Sequence, residues 1–568
     1  MRQIPLARNL VRLRIALLML GIAAVYGLVD LRFAYLQLVH GAQLAAEARS
    51  EHMRPVAVHA RRGAIFDRNL HPLAISVDSP AVFAVPQEIT DPQAVAAKLA
   101  AVLGRPQAEL ALQLQSKAST VWLANRLDAE TAARVAALDL PGIGVVKQPT
   151  RYYPATDLDG QMLGIVGVDN QGLEGLEYQY DRHLRGQPGV LMAERTGDGH
   201  LMPDGARVAL APQPGDSLVL YLDQTIQFIL AKALTNAVKT TKSDWGLFVA
   251  VDPNTGGILA SAIYPSFNPE QWSGVPEAVR RNLIVSNQYE PGSTFKMITG
   301  SAALDTGVVK PSDIFDCPYA LDIGGGVVHD WQYGGHGLQT FVQATENSCN
   351  PVFAVIGAQL LGPDRLYQYA RAFGIGQRLG VDFPGEAAGI LPRPANVPDE
   401  ILRFANIGFG QGVAVTPLQI AMAGAAIANG GTLLRPHYVQ KILGPDGQVL
   451  KQFGRDPIRR VLSPSTAHTF LHILQLVVDE GTGGLAKAKG IAIAGKTGTA
   501  EIANPDGRGY SNMRLASFLG IMPADHPQFV GLIMLYNLKV NPPYGGDWAA
   551  PVFAEIAPQV MQVLGATS

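Results

Sequence analysis

Cysteine is nearly absent: Cys317 and Cys349 are the only two among 568 residues, too few for a disulfide framework or a thiolate zinc site. The twelve histidines form no His-Glu-x-x-His pair, so the helix-borne pattern of zinc hydrolases is missing too. No metal and no cofactor is expected. Neither charge is in excess, with 45 Lys and Arg against 47 Asp and Glu; no global field points to nucleic acid or an acidic polymer. No repeat at a period of roughly 20–50 residues is visible, which excludes solenoids and propellers.

Long uncharged apolar text is also scarce, with one exception. Arg2, Arg8, Arg12 and Arg14 precede the first acidic residue, and Ile15 to Val29 follows without a charge. Leu31, Phe33, Ala34, Tyr35, Leu36 and Leu38 extend the run past Asp30 and Arg32 toward the ~20 residues of a spanning helix. The arginines on the amino side predict a single-pass anchor in the cytoplasmic membrane, with residues 1–14 in the cytoplasm, 15–38 in the bilayer and the rest outside. A cleaved signal peptide is the alternative, but the small-residue site at Leu44-Ala45-Ala46 lies late for an apolar core ending near Val29.

Beyond the anchor, short apolar runs alternate with turn signals to about residue 215, with helical spacing over Pro92 to Leu103 and Ala129 to Leu138. Gln213-Pro-Gly-Asp-Ser then breaks the chain, and Asp223 can cap a helix to about Val238. Gly246 to Asp252 and Gly257 to Tyr264 read as a hairpin across Pro253-Asn-Thr-Gly256. Leu515 to Met522 and Gln528 to Tyr536 form a second apolar pair, and a helix from about Pro551 closes the chain. Strands at both ends of a long helical text predict an α+β domain whose central antiparallel sheet is flanked by helices.

Three motifs occur in order: Ser293-Thr-Phe-Lys296, Ser348-Cys-Asn350 and Lys496-Thr-Gly498. This is the S-x-x-K, S-x-N, K-T-G set of penicillin-interacting serine enzymes. Singly each is weak; in order they are specific. A second S-x-N, Ser266-Phe-Asn268, precedes the nucleophile and reads as the turn after a strand. Glu290-Pro-Gly-Ser293 can feed a helix, placing Ser293 in a first turn whose free N–H groups meet an oxyanion. Lys296 is one turn on, able to take the Ser293 proton if burial and a second cation, Lys496, keep it neutral. Lys496 to Thr499 follows Ile491-Ala-Ile-Ala and so lies on a strand, where Gly498 admits substrate to the backbone and Thr497 and Thr499 offer hydroxyls to a carboxylate. Gly490 to Thr497 also matches the P-loop pattern, but strand-like text within it and a loop at Asn504 to Gly509 after it reject that reading.

With these motifs the chain resembles class B penicillin-binding proteins, and within them the division and sporulation group of FtsI and SpoVD. The matching text includes Arg62-Gly-Ala-Ile-Phe-Asp-Arg68, Arg151-Tyr-Tyr-Pro154, Gly167 to Glu177, Glu290 to Lys296, Phe409-Gly-Gln-Gly412 and Val415-Thr-Pro417. The resemblance implies an elongated non-catalytic pedestal domain of the dimerisation type at 39–215 and a transpeptidase domain at 216–568. It implies peptidoglycan stem peptides as substrates, β-lactams as ligands, and a membrane glycosyltransferase and division proteins as partners. It makes Ser293 the acylated nucleophile, Lys296 its base and Ser348 a proton relay. Asn350 would hold the substrate amide, Lys496, Thr497 and Thr499 the terminal carboxylate, and the Ser293 and Thr499 N–H groups the oxyanion.

Two readings stay with the blander option. His329-Asp330-Trp331 and Gly334-Gly-His336 read as a structural loop rather than a cleft wall, and Cys349 as a small buried residue rather than a partner for Cys317. The rivals for function are a hydrolytic carboxypeptidase or β-lactamase, for which the anchor and pedestal are superfluous, and a non-enzymatic sensor, which would have lost motif residues.

Overall fold

The computed structural model describes residues 6–44, 53–194, 207–395, 399–504 and 509–565. Arg2, Ala45, Ala46 and residues 505–508, on which expectations above partly rest, lie outside them.

Helix α1 runs Leu6–Leu38, and its stretch Asn9–Leu38, with mean hydropathy 1.9, is long and apolar enough to cross a membrane. Leu17, Leu18, Leu20, Leu28 and Leu31 are all exposed, and a helix apolar on every side needs lipid or other helices around it. It starts earlier than the apolar run because helical hydrogen bonding continues through the arginine turns.

The chain divides into two compact units, one formed by 1–59, 79–148 and 188–213, the other by 60–78, 149–187 and 214–568. Text from 39–215 thus contributes to both. In the first unit β1 (Met53–Val58) and, later in the chain, Gly189–Glu194 and Arg207–Leu210 make a three-stranded antiparallel sheet. Helices α2 (Pro92–Leu103), α3 (Gln107–Leu114) and α4 (Ala129–Ala136) bury Leu99, Leu110, Leu114 and Val135 in a small core with Val82 and Leu123. Asp91 caps α2 and Gly104 ends it in the left-handed conformation, a start and stop legible in the residues themselves.

In the second unit, α5 (Gln224–Thr241) is capped by Asp223 and precedes the hairpin of β2 (Trp245–Val251) and β3 (Ile258–Tyr264). These join three strands from the far end of the chain: β4 (Ala494–Ala503), β5 (Tyr510–Met522) and β6 (Phe529–Tyr536). The order is β3-β2-β6-β5-β4, antiparallel throughout, with β4 at an edge. Alternate residues serve opposite cores. Phe248, Phe518 and Ile533 pack with Ile226, Leu230 and Phe553 beneath α5 and the closing helix Ala550–Val563. Leu247, Leu519 and Leu532 pack on the other side with Ile420 and Phe470, from the helices Pro417–Ala428 and Pro464–Asp479. Both faces being covered explains why these strands read as continuous apolar runs.

The same unit contains a buried ion network that unites three of the motifs matched above. Arg62 Nε donates to Glu177 Oε2 at 2.5 Å, Arg151 Nε to Glu177 Oε1 at 2.6 Å, and Arg62 Nη1 to Asp181 Oδ1 at 2.6 Å. Burial pushes the Glu177 carboxyl up, but Arg151 and Arg62 outweigh it and hold the group below the ordinary carboxylate range.

Candidate active site

Ser293 sits in the 3₁₀ turn Gly292–Phe295, which runs directly into the helix Lys296–Asp305. The turn is braced from behind: Gly292, at φ 54°, donates its N–H to the Gly410 carbonyl at 3.0 Å. Gly410 has φ 93°, and a Cβ there would lie 2.0 Å from the Gly292 oxygen, so the Phe409-Gly-Gln-Gly412 loop needs its glycine for this approach. Ser293 is half-buried while Thr294, Phe295 and Lys296 are buried. The Lys296 Nζ lies 2.6 Å from the Ser348 carbonyl, 2.8 Å from Asn350 Oδ1 and 3.1 Å from Ser348 Oγ. Among the described residues no hydrogen bond links it to Ser293; the amine that the spacing directs at Ser293 rests instead on the S-x-N turn.

That turn has an unusual backbone. Ser348 has φ 56°, left-handed for a residue with a side chain, a conformation costing on the order of 1–3 kcal/mol and kept where surrounding contacts impose it. It aims both carbonyl and hydroxyl at Lys296. Lys496 Nζ reaches the same hydroxyl at 2.9 Å, so Ser348 Oγ bridges two buried amines. A disulfide joins Cys349 to Cys317, correcting the expectation that Cys349 is merely small and buried: it is buried, but paired. The pairing carries no short-range signal, because it depends on Ile314–Cys317 folding back beside the S-x-N turn.

The third motif lies on edge strand β4, where Thr497, Thr499 and Glu501 alternate along the cleft wall. The Thr497 hydroxyl donates to Thr482 Oγ1 at 3.0 Å, and Thr499 Oγ1 accepts the Gly545 N–H at 3.1 Å. Gly498 also has a packing reason: a Cβ there would meet Ser517 Oγ at 2.4 Å and Thr294 Cγ2 at 2.8 Å. Its bareness lets the Ser293 turn pack on the strand. A strand at Ala494–Ala503 also disposes of the P-loop match, which needs a loop entering a helix. Ser266, from the stray S-x-N, donates to Gln161 Oε1 at 2.9 Å in the turn after β3.

Burial pushes Lys496 down to about 7. Lys296 is also lowered well below the usual lysine range, first by burial and then by the charge of Lys496, with Asp330 opposing. Both shifts favour a neutral amine over an ammonium, and the charge of Lys496 opposes protonation of Lys296 on the serine hydroxyl they share. A neutral amine is the protonation state a lysine base requires.

These groups line a cleft of ≈ 660 Å³ whose walls include Ser293, Ser348, Asn350, Thr497 and Thr499. His329 and Trp331 are on the same wall, and Asp330 Oδ1 accepts the Asn350 N–H at 3.1 Å. The segment expected to be a bystander loop is thus part of the site, because the strand Gly326–His329 runs past the S-x-N turn. The lining residues Asn406, Phe409, Gln411, Thr482 and Tyr544 were missed as site residues. Phe409 and Gln411 lie in a quoted motif, which was the available signal; Asn406, on the helix Glu400–Gly408, and Thr482 and Tyr544, from separate loops, had none.

The family described as "Penicillin binding protein transpeptidase domain" matches residues 246–558, and "Penicillin-binding Protein dimerisation domain" matches 57–220. Stage V sporulation protein D of Bacillus subtilis is 36% identical over 563 residues, covering 98% of this chain and 86% of the relative. Peptidoglycan D,D-transpeptidase FtsI of Escherichia coli is 32% identical over 569 residues, covering 98% and 92%. The crystal structure of penicillin binding protein 3 from Mycobacterium tuberculosis, complexed with aztreonam, superposes with a TM-score of 0.69 at 29% identity, over 90% of this chain and 97% of that one. The chain belongs to the class B penicillin-binding proteins, in the FtsI and SpoVD group, and is a peptidoglycan D,D-transpeptidase and β-lactam target.

Proposed function

We propose that Ser293 is the acylated nucleophile of a cross-linking reaction at the septum. The observation that carries this reading is the Ser348 hydroxyl held between Lys296 and Lys496, beside the nucleophile turn and the edge strand. Neutral Lys296 removes the Ser293 Oγ proton as that oxygen attacks the carbonyl of the penultimate D-Ala. Resting geometry tightens when substrate displaces the amine from Ser348 toward Ser293. The oxyanion is stabilised by the N–H groups of Ser293 and Thr499. As the peptide bond breaks, the proton passes from Lys296 through the Ser348 hydroxyl to the leaving nitrogen, and terminal D-Ala departs with its carboxylate released by Lys496, Thr497 and Thr499. Asn350 holds the substrate amide. The amine of a second stem peptide then attacks the acyl-enzyme, loses its proton by the reverse relay, and regenerates Ser293.

Substituting Ser293→Ala tests this: fluorescent penicillin should no longer label the protein covalently, and mass spectrometry of wild type should place the adduct on Ser293. An adduct on any other residue overturns the assignment.

The functional segments proposed are a cytoplasmic tail at 1–14, an anchor at 15–38, a pedestal at 39–215 and a transpeptidase domain at 216–568. The arginines before the apolar run support an inner-membrane anchor with a cytoplasmic amino terminus, and the Cys317–Cys349 disulfide favours an oxidising compartment for the catalytic unit. A membrane glycosyltransferase is the proposed partner, since glycan strands must be made where they are cross-linked; division proteins would recruit the pair. Tracking a tagged copy in dividing and sporulating cells tests the septal assignment.

A further inference from the structure

Behind the S-x-N turn stands a carboxylate that none of the three motifs contains. Asp330 is buried, 4% exposed, and its Oδ1 accepts the Asn350 N–H at 3.1 Å, at the start of the helix Asn350–Val355. Its Oδ2 lies 2.7 Å from His336 Nδ1. Its neighbours hold the same turn. The His329 carbonyl accepts from Asn350 Nδ2 at 3.0 Å, and Trp331 Nε1 donates to the Asn347 carbonyl at 2.9 Å. Asn350 is thereby fixed at backbone and side chain, with Oδ1 left to receive Lys296 at 2.8 Å. The charges around this point are two lysines, Lys296 and Lys496, against Asp330, with His336 beyond it and the carboxylates of Glu501 and Asp547 on the cleft wall.

We infer that Asp330, backed by His336, is a positioning residue of the transpeptidase site: it fixes Asn350 against Lys296 and supplies the buried negative charge that balances the lysine pair. Two functions in one side chain are separable. The hydrogen bond sets where Lys296 and Ser348 sit and so governs the maximal acylation rate. The charge favours protonated Lys296, as the opposing influence of Asp330 on that amine indicates, and so governs the pH at which the rate rises.

The inference rests on Lys296 being the base, and the test uses the detergent-solubilised full chain, with the rate of acylation by fluorescent penicillin measured from acid to alkaline pH. Asp330→Asn keeps an acceptor oxygen but not the charge; the rising limb should move to lower pH while melting stays near wild type. Asp330→Glu keeps the charge but misplaces the oxygen; its limb should stay while the maximal rate drops roughly 10- to 100-fold, as for a lost charge-assisted hydrogen bond. A purely structural aspartate would move neither limb. Wild-type midpoints in Asp330→Asn, or an Asp330→Glu rate within about threefold of wild type, overturn the proposal. If either Asp330 variant does not fold, His336→Gln leaves the Asp330 charge in place but removes the ring beside its Oδ2 and must by itself lower the maximal rate; a wild-type maximal rate refutes the idea. Failure of the underlying reading would show separately, as normal acylation by Lys296→Arg.

Discussion

Lys496→Met should trade activity for stability, and the trade should reverse with pH. Lys496 is fully buried and its pKa falls from an ordinary 10.5 to about 7. At about 1.4 kcal/mol per pH unit, keeping that charge folded at pH 7 or below costs about 5 kcal/mol relative to the unfolded chain. Methionine removes the cost and fills similar space. What is lost is the donor to Ser348 Oγ, which Lys296 still contacts, and the donor to the Thr497 carbonyl at 3.2 Å. Such a loss costs about 1–3 kcal/mol, so the variant should be more stable by about 2–4 kcal/mol at pH 6–7.

The sign follows from proton counting. Between about 7 and 10.5 the native state binds fewer protons at Lys496 than the unfolded chain does, so wild-type stability rises with pH across that window while the variant gains nothing there. Its advantage should shrink and then invert, leaving only the hydrogen-bond deficit at the alkaline end. Denaturant unfolding of both proteins at pH 6, 7, 8 and 9.5 reads this directly. Acylation should fall by roughly 10- to 100-fold, the worth of one charge-assisted contact to a carboxylate. A variant less stable than wild type at every pH, by a constant amount, would refute the view that the buried cation is a cost the site bears for function.

Lys296→Arg should fold yet acylate about 10²–10⁴ times more slowly, because guanidinium does not release its proton; acylation kinetics beside thermal melting check it. Asp159, buried, is pushed up to about 7 by burial and the nearby Asp67, with Gln227 opposing. A raised carboxyl contributes stability below about 4 that is lost as pH rises through about 7, so Asp159→Asn should melt higher than wild type at pH 8 and no higher at pH 4. A chain beginning near residue 53 should remain soluble and bind penicillin at close to the full rate, yet fail to sustain growth in depleted cells, because its substrates are confined to the membrane surface; normal growth would show that the anchor is dispensable.

Much of this was legible in local text. Asp91 and Gly104 bound the helix Pro92–Leu103 where the spacing puts it, and Asp223 starts the next long helix as expected. The hairpin at Trp245–Tyr264 and the strands after Leu515 follow from apolar runs broken by turn residues. The motif residues do converge. What local text could not supply was everything set by chain segments meeting at a distance. The left-handed Ser348, whose carbonyl and hydroxyl both meet Lys296, is set by contacts around the turn. The Cys317–Cys349 bond and the Asp330 clamp depend on strands Ile314–Cys317 and Gly326–His329 folding back across the cleft. Gly498 has a packing reason that local text could not supply, since a Cβ there would meet Ser517 on the neighbouring strand and Thr294 on the Ser293 turn.

Those non-local supports share one arrangement. The nucleophile turn rests on Gly410, the S-x-N turn on Cys317 and Asp330, and the edge strand on Ser517 and Thr294. None of these needs to touch substrate, yet each fixes a group whose placement decides whether Ser348 stays within hydrogen-bond reach of both lysines. The proposed transfer of one proton among Ser293, Lys296 and Ser348 would tolerate little slack, because a displacement of about 1 Å can cost on the order of 10²-fold in rate. The two lysines make the demand stricter. Protonating both would set like charges against each other, and the carboxylate behind Asn350 and the turn under Ser348 oppose that cost. The left-handed serine and the two buried lysines are thus two consequences of one requirement: both amines held on a single oxygen before substrate arrives.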